Sequence, residues 1–260
     1  MGLGDALPFE VARWVVPCLP RPMQRFTEST SWANAVEDSV GYDRVAVDKR
    51  NEWAIGSVPI SGNDLSVIAA FGVALAHFGN IGRSIRVVDF GGADGRHLAL
   101  VETVFSDHAF DWTVVELPEV IGSMQGSSRP GLTFSADLNG VLAQSADIVF
   151  ASAAVNYVAE PMLLLDRFMK KSSITILTRL PLWPISAHQV AVQRPQRKPV
   201  EISYPTWFFS EQRFLNYLCL SATVLFDFVC PDDRGYYAGH YGRYRGLVLS
   251  GNRLGTNSLS

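Results

Sequence analysis

A chain of 260 residues, 48% hydrophobic and 18% charged, is long and apolar enough to pack a core and does not have the composition of a disordered protein. Its net charge of -3 lacks the basic footprint of a nucleic-acid binder, and no apolar run approaches the ~20 residues of a membrane span. Three cysteines without close spacing, Cys18, Cys219 and Cys230, predict neither a disulfide framework nor a zinc site.

Residues 1–62 read as an N-terminal helical and irregular extension. Its apolar pieces are broken by Glu10, Arg13 and Pro17, which predicts no secretion signal and a cytoplasmic protein. Phe9 to Val16 fits a short helix, and Ser29 to Ser31 offer caps for another that begins at Trp32 and stops near Gly41. Asp43 to Ile60 shows no period. Asn63 suits the N-cap of a helix to Phe78, ended by Gly79 and Asn80.

Residues 63–251 then alternate short apolar runs with helical periods, the pattern of an α/β sheet. Strands are expected at Ile85–Val88, Trp112–Val115, Gly131–Phe134, Ala146–Ala151 and Ser173–Thr178. Helices are expected at Leu98–Phe105, from Pro118, at Pro161–Met169 and after Ser210. An insertion at 184–209 interrupts the alternation, and the aromatic residues around it predict the wall of an acceptor pocket. Two last strands, Ala222–Val229 and Tyr244–Leu249, have no convincing helix between them and predict a hairpin at a sheet edge. The fold class is therefore α/β, Rossmann-like, a seven-stranded, mostly parallel sheet with an antiparallel last strand. The polar residues 252–260 read as a flexible tail.

The first strand runs into Asp89, Gly91, Gly92 and Gly95. Glycines at a strand–helix turn let a ligand approach the backbone, and the following helix N-terminus offers unpaired N–H groups. The dinucleotide pattern G-x-G-x-x-G fails in both registers: Arg96 stands sixth from Gly91, and Asp94 stands third from Gly92. Asp89, Gly91 and Gly95 instead fit Asp-x-Gly-x-Gly-x-Gly, with Ala93 replacing the middle glycine. Glu116 ends the second strand, where an acid accepts both ribose hydroxyls of a nucleoside, and Leu117 follows it. Asp137, beside Leu138, follows the third strand, where a carboxylate can accept from an adenine amine or make a turn.

Together these stretches resemble class I methyltransferases that use S-adenosylmethionine. More narrowly, the chain resembles a bacterial methyltransferase family associated with surface-polysaccharide or secondary-metabolite genes. The pieces that carry the likeness are Ser31–Trp32, Gly41–Tyr42, Val88–Gly95, Trp112–Pro118, Ala151–Tyr157, Thr178–Pro181, Gln193 and Ser203–Ser210. The resemblance implies that Asp89, Gly91, Gly92 and Gly95 hold the methionine end of the donor, Glu116 its ribose and Asp137 its adenine. It places Ser152, Asn156 and Tyr157 near the sulfonium. S-adenosylhomocysteine would be the product.

Methyl transfer from a sulfonium depends chiefly on positioning, but a hydroxyl acceptor must also lose its proton. His188 and His240 lie in the irregular segments at the carboxyl side of the sheet and are the candidate bases. Arg179, Trp183, Tyr204 and Trp207 are candidate acceptor contacts. No acid–histidine cluster has metal-ligand spacing, so no metal is expected. The expected partner is a small-molecule acceptor, an oxygen of a saccharide or secondary metabolite, with no nucleic acid and no membrane; a homodimer is compatible with the sequence. The competing functions are a non-catalytic module that keeps the donor or its product as a structural ligand, and an NAD-type oxidoreductase.

Overall fold

The computed structural model describes residues 24–41, 60–79, 82–123, 129–195 and 202–251. The predicted helix at Phe9–Val16, Cys18, the stretch 43–59 and the tail 252–260 lie outside them. In chain order the elements begin with β1 (Gln24–Ser29), α1 (Trp32–Glu37), α2 (Gly62–Phe78), β2 (Ile85–Phe90), α3 (Arg96–Val104) and β3 (Phe110–Val115). They continue with α4 (Pro118–Ser123), β4 (Leu132–Ser135), α5 (Leu138–Val141), β5 (Ala146–Ser152), α6 (Pro161–Lys171) and β6 (Ser172–Leu180). The last are β7 (Leu182–Trp183), β8 (Gln189–Pro195), β9 (Tyr204–Ser210), α7 (Glu211–Ser221), β10 (Ala222–Tyr237) and β11 (His240–Gly251).

Seven strands lie in the order β10-β11-β6-β5-β2-β3-β4. The five from β6 to β4 are parallel, and β11 runs antiparallel to both β6 and β10. This is the mostly parallel sheet with a reversed last strand that the sequence predicts. Successive side chains on a strand face opposite sides, so each central strand feeds two cores. Val87, Ile148, Ile176 and Val248 face α2 and α3, with Phe71, Leu75 and Leu98. Val88, Val149, Leu177 and Leu249 face α6 and α7, with Phe168, Phe214 and Leu218. Burial on both faces explains why these strands read as continuous apolar runs.

Helix α2 begins two residues earlier than predicted. Ser61, not Asn63, is its N-cap: the Ser61 Oγ accepts from Asp64 N, and Asp64 Oδ2 accepts from Ser61 N, closing a capping box. Burial would raise the Asp64 carboxyl, but the Ser61 bonds and the Arg96 charge hold it below its ordinary value.

A second sheet, β1-β8-β9-β7, departs from the predicted picture. The insertion supplies β8 and β9, and the N-terminal extension supplies a strand, β1, where only helix and irregular chain are predicted; β8 pairs antiparallel with both β1 and β9. The sheet packs against the outer half of the β10–β11 hairpin. Phe208 stacks on Tyr237 at 3.8 Å, and Trp183 meets Phe208 at 4.9 Å. Trp183 is thus fully buried between the two units rather than lining an acceptor wall. Of the two described cysteines, Cys219 is exposed and Cys230 is buried; burial pushes the Cys230 thiol up to about 11.

Candidate functional site

The sheet order reverses beside β2, which pairs with β3 on one side and β5 on the other. In doubly wound sheets the crevice beyond the carboxyl ends of the strands at such a point is the ligand site. A cavity of about 650 Å³ opens there, a size suited to a small-molecule ligand.

Its floor is the turn after β2. Gly91 lines it with φ +71°, and a Cβ there would stand 2.6 Å from the Ala154 Cβ. The backbone can pass this close only because Gly91 has no side chain. Gly92 and Gly95 do not line the cavity; they shape the turn from behind, with Gly95 N donating to Gly92 O at 3.0 Å. Asp89 is fully buried beneath the turn. It accepts from Trp112 Nε1 at 3.1 Å, and His97 Nδ1 lies 3.6 Å from the same oxygen. A Cβ on Gly92 would collide with this carboxylate at 2.3 Å. Asp89 therefore sets the turn from below.

Ala93, the residue that replaces the motif glycine, sits at φ +54°. Left-handed backbone costs a non-glycine residue about 1–2 kcal/mol, partly offset by glycine's greater chain entropy. Ala93→Gly is expected to raise stability by roughly 0.5–1 kcal/mol and the melting temperature by about 1–4 °C, read by thermal unfolding. A fall in melting temperature would show that the alanine methyl packs usefully.

Glu116 and Leu117 line one side of the cavity, at the end of β3; Leu117 N donates to Glu116 Oε2 at 2.9 Å. Ala136 and Leu138 line it after β4. Asp137 stands between them, exposed and at the N-cap of α5, outside the lining. After β5, Ala153, Ala154, Tyr157 and Val158 complete the wall. Ser152 lies back from it, accepting from Thr178 Oγ1 at 2.9 Å.

The small sheet is tied to this wall by three bonds. Asn156 Nδ2 donates to Thr206 Oγ1 at 2.9 Å, Tyr157 OH to Gln193 Oε1 at 3.0 Å, and Trp207 Nε1 to Val158 O at 3.0 Å. Asn156 and Trp207 thus hold the wall, while Tyr204 and Pro205 reach the cavity itself. A roof comes from the N-terminal segment: Val36, Ser39, Val40 and Gly41 line the cavity from above. Ser203 fastens it, accepting from Val40 N at 2.9 Å and Gly41 N at 3.0 Å, and Trp32 stacks on Trp207 at 5.9 Å. Gly41, Ala153 and Ala154 fall in stretches that carry the sequence likeness, whereas Val36, Ser39 and Val40 carry no residue-level signal, because small and aliphatic lining residues look like core.

The structure gives the two candidate bases other positions. His188 Nδ1 accepts from Ser210 N at 3.0 Å, so the imidazole caps α7, whose own N-cap side chain makes no such bond. His240 sits at the hairpin tip, its carbonyl accepting from Trp183 Nε1 at 3.3 Å. Neither lines the cavity. Arg179, at φ +60°, is clasped by Asp233, with Nε at 2.5 Å and Nη2 at 3.2 Å from its two oxygens. It holds the hairpin rather than standing ready for an anion.

His188→Ala is expected to cost about 1 kcal/mol, the worth of a helix cap, and to leave ligand affinity unchanged. Burial, then the Arg213 charge, hold the imidazole below its ordinary value of 6.5. The unfolded chain therefore takes the proton first as pH falls, so the contribution is complete above that value and declines below it. Urea unfolding should show a smaller wild-type advantage at pH 5.5 than at pH 8. A variant of unchanged stability but lost turnover would return His188 to the chemistry.

Among the described residues no group of His, Cys, Asp and Glu could hold a metal ion, and no helix is long and apolar enough to cross a membrane. No protein-family model matches the sequence, and no curated protein matches it. Among solved structures the chain is similar to the Burkholderia thailandensis 1,6-didemethyltoxoflavin-N1-methyltransferase with bound 1,6-didemethyltoxoflavin and S-adenosylhomocysteine. That likeness has 17% identity and a TM-score of 0.44, over 72% of this chain and 79% of that one. Magnesium protoporphyrin IX methyltransferase of Synechocystis with bound SAM is similar at 13% identity and a TM-score of 0.45, over 73% and 79%. Human N-acetylserotonin methyltransferase in complex with SAM is similar at 14% and 0.45, over 72% and 51%. Each is a distant likeness.

Proposed function

We propose that this chain is an S-adenosylmethionine-dependent methyltransferase that acts on an oxygen of a small-molecule acceptor. The observation that carries the reading is the cavity at the switch point, floored by the Gly91 turn, with Glu116 as the one charged side chain among the described residues of its lining. A carboxylate at the end of the second strand suits the two ribose hydroxyls. Leu117 and Leu138, beside Glu116 and Asp137, offer apolar contacts for the adenine, and the roof residues Val36 and Val40 face the same cavity.

The Gly91 backbone, bare of a Cβ, admits the methionine end of the donor at the floor. When bound, the donor supplies a methyl group already activated on a positive sulfur. The chain's own part is to orient the two reactants and exclude water: Tyr157 and Val158 by the wall, Val40 and Gly41 by the roof. Positioning of this kind supplies much of the rate of a two-reactant step.

Titration calorimetry with S-adenosylhomocysteine, and NAD as control, tests the reading. Saturable binding of the former alone is expected. Binding of NAD without S-adenosylhomocysteine would make the site that of an oxidoreductase, against which the reversed last strand and the failed dinucleotide pattern both stand.

A further inference from the structure

Beneath the cavity floor two buried polar atoms, Asp89 Oδ1 and His97 Nδ1, have no hydrogen-bond partner. Asp89 is 0% exposed, and its one hydrogen bond among the described residues comes from the uncharged Trp112 indole. A carboxylate taken from water with so little compensation is costly. His97, the second residue of α3, stands where it can supply more: its Nδ1 lies 3.6 Å from Asp89 Oδ2. The ring meets Phe150 edge-on, at 5.0 Å and 85°. Its side chain is 17% exposed although Nδ1 is buried, so the inner edge faces the carboxylate and the outer edge reaches the surface.

The charged neighbours of the pair are already engaged. Arg96 Nη2 donates to Asp64 Oδ1 on α2 at 2.9 Å, and Asp94 Oδ1 accepts from Arg96 N at 3.2 Å. From β3, β5 and α2 the packing groups are Trp112, Phe150 and Phe71, which carry no charge. Both members of the pair are tied to the floor. A Cβ on Gly92 would stand 2.3 Å from Asp89 Oδ2, so the carboxylate presses on the turn from below. His97 follows Gly95, the N-cap of α3, by two residues. A proton on Nδ1 turns the 3.6 Å approach into a hydrogen bond and holds the turn 91–95 between strand and helix.

Resting on the methyltransferase reading above, we propose that His97 is a positioning residue whose Nδ1–H donates to Asp89, fixing the floor turn and keeping Asp89 a carboxylate beneath the donor. The second effect bears on which ligand the floor favours. S-adenosylmethionine is positive at sulfur, and S-adenosylhomocysteine is neutral there. A buried negative charge under the floor is weakly screened and acts on the first more than on the second. The pair therefore favours the fresh donor over the spent product. Without the Nδ1 donor, a buried carboxylate so poorly compensated takes up a proton, and the discrimination is lost.

The test uses the full chain. Calorimetry measures S-adenosylhomocysteine and sinefungin, a stable analogue with an ammonium group in place of the sulfonium. Binding of neither overturns the methyltransferase reading, and the donor role of His97 with it. Three substitutions then separate the parts of the ring. Asn places an amide N–H near the position of Nδ1, Gln near that of Nε2, and Leu places none. His97→Leu and His97→Gln are expected to weaken sinefungin about tenfold, the worth of one hydrogen bond to a charged group, and S-adenosylhomocysteine by about threefold at most. His97→Asn should stay within about twofold of wild type for both ligands. A ring that only fills space would weaken the two ligands alike. The wild-type ring gives a readout that needs no variant: long-range proton–nitrogen spectra at pH 8.5 should show Nδ1 protonated. With ligand binding intact, three results would sink the positioning role alone: a bare Nδ1, equal losses for the two ligands in His97→Leu, or better rescue by Gln than by Asn.

Discussion

Glu116→Ala is expected to weaken S-adenosylhomocysteine binding by roughly 10- to 100-fold, the 1.5–3 kcal/mol of hydrogen bonds to a charged group. Glu116 is the one charged side chain of the described lining, half-buried at the end of β3. The Leu117 N–H fixes one of its oxygens. The side chain leaves no cavity in the core when removed, so the melting temperature of the free protein should barely move. Calorimetry and thermal unfolding together separate the two effects. An affinity within twofold of wild type would mean that the nucleoside does not lie along the end of β3.

Gly91→Ala should be among the most damaging single-methyl changes in the site. It imposes φ +71° on a residue with a side chain and drives a methyl to 2.6 Å from the Ala154 Cβ. The left-handed backbone and the overpacking together cost about 2–5 kcal/mol. Binding should suffer as well, because any relief must come from moving the floor or the wall of the cavity. Gly122→Ala is the control. A Cβ there meets nothing within 4 Å, in helix α4, and the same substitution should be neutral or stabilising by up to about 1 kcal/mol. Urea unfolding of both variants measures the contrast; equal effects would mean that neither the backbone angle nor the Ala154 contact matters.

The parts of the fold that were legible share one physical property. Val87–Val88, Val114–Val115, Ile148 to Ala151 and Ile176–Leu177 are buried on both faces, so their sequences are unbroken apolar runs. Gly91 and Glu116 follow directly at the strand ends, and the architecture places whatever follows such runs at the site. The second sheet was not legible. Strand β1 is marked by no apolar run: Arg25, Thr27 and Glu28 sit among its six residues, and Thr27 and Glu28 are exposed. Its pairing with β8 is settled by a partner far along the chain. His188 misled for a related reason. A histidine in an apparent loop reads as reactive, and only folding shows that the Ser210 amide, 22 residues away, claims its ring nitrogen. Trp183 carried a similar ambiguity, since an indole serves equally as core and as a stacking surface.

The roof has a consequence for synthesis of the chain. Val40 is fastened by Ser203, 163 residues later, and Thr27 by Arg194, 167 residues later. Contacts of such separation form late, because loop closure must be met before they reward it. On the ribosome, the parallel strands from β2 to β6 emerge before β8, which pairs with β1, and before Ser203, which fastens the roof. The segment 24–41, translated before the core strands, is thus among the last to find its place. A nascent chain halted after Leu180 would carry the Gly91 turn and Glu116 without Ser203, which fastens the roof over them.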